Sequence, residues 1–264
     1  VKLSVCIITL NEEANIGRTL KSVQPLVADG QGEVIVVDSG STDKTVEIAR
    51  SYGAKVFTEP WKGFAAQKNS ALDKAQGEWI LSLDADEEPE PDLLKEFAEI
   101  LSGPDEDGFG SEDGYFIKRR NLFARRWVKH GGFYPDFKMR LFRRGKGEFT
   151  NRAVHEDAHV QGRIGYLYYP LIHHAYPTLS GYIEHMNKYS SLGAEMEIEK
   201  GRRGFSLINI VIRPWLTFIY NYFFRLGFLD GKEGLLLHMY HAVYVSWKYA
   251  KLWELSREEA GLPH

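Results

Sequence analysis

The chain is predicted to be an α/β protein: a mostly parallel sheet flanked by helices, followed by a helical C-terminal extension. Three observations carry that expectation. Short Val- and Ile-rich runs alternate with amphipathic stretches over the first ninety residues, each apolar run stops at a polar turn, and the pattern beyond residue 178 is helical. Strand and helix taking turns is what right-handed crossovers between parallel strands produce.

Leu3 to Thr9 and Glu33 to Asp38 read as buried strands. Between them, Asn15 to Leu26 has Ile16, Leu20 and Val23 at helical spacing. The alternation continues with Thr42 to Tyr52 as helix, Ala54 to Thr58 as strand, Gly63 to Ala75 as helix and Trp79 to Leu83 as strand. Asp92 to Leu101 reads as a helix and Ser102 to Gly114 as an exposed loop. Strand character resumes at Tyr115 and continues, rich in Arg and aromatic residues, through Arg144. Ser180 to Lys200 is a predicted helix, and Phe205 to Glu254 two more, broken near Gly227 to Gly234. The division expected is an α/β domain over 1–178 and a membrane-associating or oligomerising helical region over 179–264.

With 264 residues, 44% of them hydrophobic, the chain can bury a sizeable core. Its 33 basic and 36 acidic residues give a net charge of −3, which offers no global electrostatic case for nucleic acid. Cys6 is the only cysteine and sits in an apolar run, so no intramolecular disulfide forms and a reducing, cytoplasmic setting is expected. VKLSVCIITLNEE reads as a first strand and not as a signal peptide. The most apolar stretch, Phe205 to Phe228, is interrupted by Arg213, Pro214, Asn221 and Arg225, so no conventional membrane-spanning helix is expected.

In open α/β sheets, ligands sit at the carboxyl ends of the strands. Asn11, Asp38 and Asp84 fall there. In LSLDADEE, Asp84 and Asp86 follow an apolar strand at a spacing that lets both carboxylates, or one directly and one through water, approach one cation. Oxygen ligands with room for water and phosphate suit Mg²⁺ or Mn²⁺. The alternative is a plain acidic turn, with Pro89 and Pro91 starting a helix from Glu87 onward. In DSGSTDKT, Ser41 to Asp43 read as a helix-capping turn, while Asp38 lies earlier, where a carboxylate can accept from a nucleobase or ribose. Neither G-x-G-x-x-G nor a phosphate-binding P-loop occurs there.

AVHEDA, residues 153–158, offers His155, Glu156 and Asp157 as successive proton acceptors. If that segment is extended, Glu156 and Asp157 point to opposite faces and only one can serve. His155 either helps to hold a diphosphate or simply packs. Arg140, Arg143 and Arg144 in KMRLFRRGKG suit an alternating strand with a cationic face for phosphate, or a solvated surface strand. His173 and His174 lack the spaced partners of a zinc site and are expected to face opposite sides of a strand. Lys68, on a polar helical face, reads on its own as a solvated lysine.

TLNEE, VVDSGSTDKT, GFAAQKNSAL and LSLDADE, in that order, resemble the family 2 glycosyltransferases. RLFRR followed by VHED, then GFLDGKEGL and YAKLWE, are similar to the bacterial lipopolysaccharide-core glucosyltransferase branch of that family. The resemblance implies a GT-A fold and inversion at the anomeric carbon. It implies that Thr9, Asn11 and Glu12 line the nucleotide pocket, that Asp38 contacts the base, and that Lys68 and Asn69 approach the donor. Asp84 and Ala85 lie beside that donor, with Asp84 and Asp86 as the metal-binding pair. The catalytic carboxylate is placed in the VHED cluster, Glu156 first and Asp157 second, with Arg140, Arg143 and His155 toward acceptor or phosphate.

The expected reaction moves a hexose, UDP-glucose being the leading donor, to a lipid-linked or lipopolysaccharide-core saccharide with Mg²⁺ or Mn²⁺. A nucleotidyltransferase of similar fold and a noncatalytic carbohydrate-binding scaffold are the alternatives. In SLINIVIRPWLTFIYNYFFRLGFL, aromatic residues interleave with Arg, the mix found at a lipid headgroup boundary. Peripheral attachment to the inner face of the cytoplasmic membrane is expected, with a homo-oligomer interface as the competing use of the same residues.

Overall fold

The computed structural model describes residues 1–104, 108–150 and 158–259. The elements in order are β1 (Leu3–Thr9), α1 (Ile16–Val27), β2 (Gly32–Asp38), α2 (Thr45–Ser51), β3 (Lys55–Thr58), α3 (Phe64–Asp73) and β4 (Trp79–Asp84). Next come β5 (Glu87–Pro89), α4 (Pro91–Ser102), β6 (Gly114–Phe123), β7 (Arg126–Trp127), β8 (Asp136–Arg143), β9 (Gly147–Phe149) and β10 (Ala158–Val160). The chain ends with β11 (Ile164–Tyr166), β12 (Leu171–Tyr176), α5 (Leu179–Glu199), α6 (Arg213–Ile219) and α7 (Gly231–Glu259).

Two units are distinguished: one from described residues of 1–120, 136–150 and 158–174, the other from 121–135 and 175–259. The helical unit thus takes a share of the middle of the chain that a boundary at residue 178 leaves out. Its reason is apolar: Phe123 and Val128, beside β7, are buried with Tyr182 of α5 and Leu237 of α7, and Phe133 packs against them.

In the first unit the sheet runs β3-β2-β1-β4-β8-β6-β12-β5, with β11 added to β6. The expectation of a mostly parallel sheet holds for β3, β2, β1 and β4. It fails beyond β4, where β8 and β6 follow antiparallel and β12 pairs β5 antiparallel, so the whole sheet is mixed. The parallel half is apolar on both faces because α1 and α4 cover one and α3 the other. Ile16, Leu20 and Val23 of α1 are fully buried. Burial of each is worth about 1.5–3 kcal/mol.

Register brings the strand ends together. Thr9 of β1 stands opposite Asp38 of β2, and Ile8 opposite Asp84 of β4. Glu87–Pro89, for which a helix start was the alternative reading, forms β5, and Pro91 occupies the first helical position of α4, one residue before the expected Asp92.

In the second unit, α5 packs along α7, and Ala194, Tyr249 and Leu252 form a small buried cluster. Two π-helical stretches, Ile208–Ile212 and Tyr220–Phe224, flank α6. Leu226 has a left-handed backbone and ends that run before the Gly227–Asp230 turn.

Candidate functional site

The loops after β1 and β2 are tied to one another before any ligand is considered. Asn11 has φ 56°, a left-handed conformation in which Asn is among the tolerated side chains. Its N–H donates to Ser41 Oγ at 2.8 Å, and its Oδ1 accepts from the Thr42 N–H at 2.9 Å. Glu12 N–H donates to Thr45 Oγ1 at 2.7 Å, and Lys44 N–H donates to Glu13 Oε2 at 3.0 Å. These bonds hold residues 42–44 outside the helix, so α2 begins at Thr45 and not at Thr42.

Asp38 is 1% exposed and fixes the second loop: its Oδ2 accepts from the N–H groups of Gly40 and Ser41, both at 2.9 Å, and its Oδ1 from Ser41 Oγ at 2.5 Å. Oδ2 is filled by its two N–H donors, while Oδ1 keeps one lone pair, so shaping the turn leaves acceptor capacity for one bond from a base. Thr9 is buried at the end of β1, and its Oγ1 has no hydrogen-bond partner among the described residues.

At the end of β4 a charge network closes around Asp84. Lys68 Nζ of α3 lies 2.8 Å from Asp84 Oδ1, and Arg140 Nη2 of β8 lies 2.5 Å from Asp84 Oδ2. The same Arg140 nitrogen donates to Glu87 Oε1 at 2.7 Å. Arg119 of β6 joins Glu87 Oε1 at 3.0 Å to Asp136 Oδ2 at 2.6 Å. Glu87 Oε2 in turn accepts the Asp84 N–H at 3.1 Å. Burial opposes ionisation of Asp84, but Arg140 and Lys68 outweigh it and hold its carboxyl well below the usual carboxylate range. Burial likewise disfavours charge on Arg140, yet Asp84 and Glu87 raise its pKa.

Lys68 is therefore a buried ion-pair partner, 6% exposed, and not the solvated lysine its helix face predicts. Arg140, at 3% exposure, lies on no solvated cationic face. A bulge in β8 explains it: Tyr115 pairs with Leu141 and Phe116 with Met139, so Arg140 is the extra residue, aimed at Asp84 and Glu87.

Three carboxylates (Asp84, Glu87, Asp136) are met here by four cations (Lys68, Arg119, Arg140 and, at 3.7 Å from Asp136, Lys138). Asp86 stands apart from that network. Its Oδ2 lies 3.4 Å from His173 Nε2, and both side chains are partly exposed. Burial raises the Asp86 pKa and His173 outweighs it, so the net direction is downward. Glu12 is close by: burial pushes its carboxyl up, a hydrogen bond from Asn15 opposes this, and Asp86, Asp43 and Asp84 add to the rise.

Among the described residues no group of three or more His, Cys, Asp or Glu converges to hold a metal ion. Asp86 and His173 could supply one oxygen and one nitrogen to a divalent ion, a partial set that would leave room for phosphate and water.

Not every expected site residue gathers here. Asn69 forms a paired contact with the Phe149 backbone, its Nδ2 donating to the carbonyl and its Oδ1 accepting the N–H, each at 2.8 Å, so its amide is committed to the end of β9. The Ala85 carbonyl accepts from Thr19 Oγ1 at 2.7 Å. Arg143 is at the far end of the sheet, opposite Trp79, with Nη1 2.5 Å from Glu78 and its guanidinium over the Trp79 ring. Arg144 donates to the Gly77 carbonyl at that same end. His155, Glu156 and Asp157 lie outside the described residues. His174 points to Glu88 Oε1 at 2.8 Å.

The sequence reading misses Glu87, Arg119, Asp136 and His173. Only His173 carried a usable signal, as a histidine near the end of a predicted strand. The others are defined by pairings between strands distant in sequence.

Set beside known proteins, residues 4–160 match the family model described as "Glycosyl transferase family 2". The lipopolysaccharide core biosynthesis glycosyltransferase LpsC of Rhizobium meliloti (strain 1021) is 31% identical over 259 residues, covering 96% of this chain and 92% of LpsC. An uncharacterized glycosyltransferase of Rickettsia bellii (strain RML369-C) is 34% identical over 265 residues, covering 97% of this chain and 87% of its own length. Among solved structures, the mannosyltransferase PcManGT from Pyrobaculum calidifontis, in complex with GDP-Man and Mn²⁺, aligns with a TM-score of 0.55 at 17% identity, covering 95% of this chain and 86% of that one. S. aureus TarS 1-349 in complex with UDP-GlcNAc aligns with a TM-score of 0.51 at 17% identity, covering 100% and 93%. Both structural likenesses are likenesses of fold, and the fold is GT-A. Because the family match takes in the ends of β1, β2 and β4 that frame the site, the chain belongs to glycosyl transferase family 2.

Proposed function

We propose that this glycosyltransferase moves a hexose, with glucose the leading case, from a UDP-sugar to a lipid-linked or lipopolysaccharide-core saccharide, with inversion. The observation that carries the reading is that Lys68 and Arg140 each engage an oxygen of Asp84, while Asp86 pairs with His173 beside that network. The name of LpsC supports the acceptor class, and the TarS complex supports a UDP donor.

In this reading Thr9, Asn11, Glu12 and Asp38 line the nucleotide pocket. Asp86 and His173, with Asp84 beside them, would hold a Mg²⁺ or Mn²⁺ ion, while Lys68 and Arg140 keep Asp84 ionised. A bound cation supplies neutralisation of charge on the departing diphosphate. Glu156 removes the acceptor hydroxyl proton as that oxygen attacks the anomeric carbon. The carbon–oxygen bond to the diphosphate breaks on the opposite side, and UDP leaves with the electron pair. Asp157 is the second choice for the base, and His155 helps to hold phosphate. The protein works as a peripheral enzyme at the inner face of the cytoplasmic membrane. No described helix is long and apolar enough to cross a membrane.

The test is a panel of nucleotide sugars scored for transfer and for UDP release with Mn²⁺ present. Glu156→Gln should bind donor normally and lose about 10²- to 10⁴-fold in transfer rate. Near-normal transfer by a folded Glu156→Gln protein would remove it as the base.

A further inference from the structure

We propose that segment 205–229 of the second unit is a docking surface for an anionic lipid bilayer, lying in the plane of the headgroups and not across them. The proposal rests on the peripheral placement above and specifies its surface, its orientation and the lipid charge it selects.

The segment has two unlike sides. Toward α7 it is satisfied: Pro214 is buried, the Ile210 carbonyl accepts from Ser246 Oγ at 2.8 Å, and Arg213 Nη1 donates to Tyr249 OH at 2.5 Å. On the other side, large apolar groups are in water: Ile208, Val211, Trp215, Leu216, Phe223 and Phe224, with Phe224 at 74% exposure and Trp215 at 63%. Scattered exposed apolar residues are ordinary on a folded surface, but such a concentration along one helical run marks an interaction site.

Charge identifies the occupant. Residues 200–229 hold five basic side chains (Lys200, Arg202, Arg203, Arg213, Arg225) and no acidic one, in a chain whose net charge is −3. A two-fold interface between copies sets the same patch against itself. Glu197, just before this stretch, pairs with Lys200 and Arg202, whereas Arg213 and Arg225 flank the exposed apolar run, so a self-paired interface would bring two net-cationic stretches together. An anionic surface resolves the same charges, and the aromatic residues, Trp215 and Tyr220 among them, have the amphipathic rings that settle at the headgroup level. The backbone sets the orientation. Leu226 turns left-handed and closes the run after Phe224, and no described helix reaches spanning length and hydropathy.

Flotation of the full chain with phosphatidylglycerol-containing vesicles and with pure phosphatidylcholine vesicles tests this. Binding should favour the anionic vesicles by on the order of fivefold for each basic residue that reaches the surface, and should fall as salt rises. Trp215→Glu combined with Phe224→Glu should abolish flotation while leaving lipid-free UDP release from the donor unchanged. A milder pair, Trp215→Ser with Phe224→Ser, should weaken flotation if the first variant does not fold. Wild-type protein that stays in the soluble fraction at low salt overturns the proposal, as does equal binding to both vesicle types. Dimerisation lost in the variants without vesicle binding overturns it in favour of self-association. Retention on a soluble polyanion without vesicle binding overturns it in favour of a soluble acidic partner. Flotation without UDP release from any nucleotide sugar would sink the transferase reading and leave the docking surface standing.

Discussion

Glu87 is fully buried and accepts charged hydrogen bonds from both Arg119 and Arg140. Removing one cation from such a cluster costs far more than an exposed ion pair is worth, because the remaining carboxylate is left desolvated and unmatched. Arg140→Leu should therefore destabilise the fold by about 3–5 kcal/mol in urea titration. A loss under about 1 kcal/mol would mean that water reaches Glu87 and Asp84 in solution. The pH sign follows from Asp84, whose pKa is depressed in the folded state. Its stabilisation is present above the unfolded carboxylate value and is lost as pH falls through the lower folded one. The placement of Asp38 and Asp84 at strand ends was legible from the Val-, Ile- and Leu-rich runs that they close. Glu87 was not legible, since its importance comes from β6 and β8, more than thirty residues away.

At the scale of elements, α7 and the turns against it hold a buried histidine in tight quarters. His238 is 1% exposed, and neither ring nitrogen has a hydrogen-bond partner among the described residues. Gly131 and Gly227 make the space: a Cβ at Gly131 would fall 1.9 Å from the ring, and one at Gly227 2.3 Å from it. Asp230, in the turn before α7, accepts the backbone N–H groups of Lys129 and His130 and so fixes the turn near Gly131. Burial, then His241 and Arg225, push the His238 pKa down to about 4, with Asp230 opposing. The unfolded chain then binds a proton that the folded one refuses between about pH 6.5 and pH 4. Stability should be level above pH 6.5 and fall by ~3 kcal/mol on acidification to pH 4. Urea midpoints across that range check this, and an unchanged slope in His238→Gln would remove His238 as the cause. In the same way, the parallel strands and their helices were legible from apolar spacing, whereas β5, β9 and β10 were not. Three-residue strands carry too little pattern to read, and their pairing is long-range.

Across the whole molecule, donor and cation should act as a stabilising ligand pair. UDP with Mn²⁺ at about a hundred times its Kd should add ~2.7 kcal/mol to the unfolding free energy of the first unit. Scanning calorimetry with and without a chelator measures it. An equal gain in Asp86→Ala would overturn the part given to Asp86 in holding the cation. The chain's broad plan of an α/β part followed by a helical part was legible in its changing periodicity. The assignment of 121–135 to the helical unit was not, because Phe123, Val128 and Phe133 sit in a stretch that reads as continuing strand.

The bulge at Arg140 has a further consequence for how this chain can vary. The two ends of β8 are out of phase by one residue, so the apolar pattern on either side stays in step with the core only while the extra position is kept. Losing any single residue between Asp136 and Arg140 would restore an even count and rotate the charged partner of Glu87 to the other face. The strand therefore stores information in its length as well as in its letters: it tolerates exchange of residues better than their deletion.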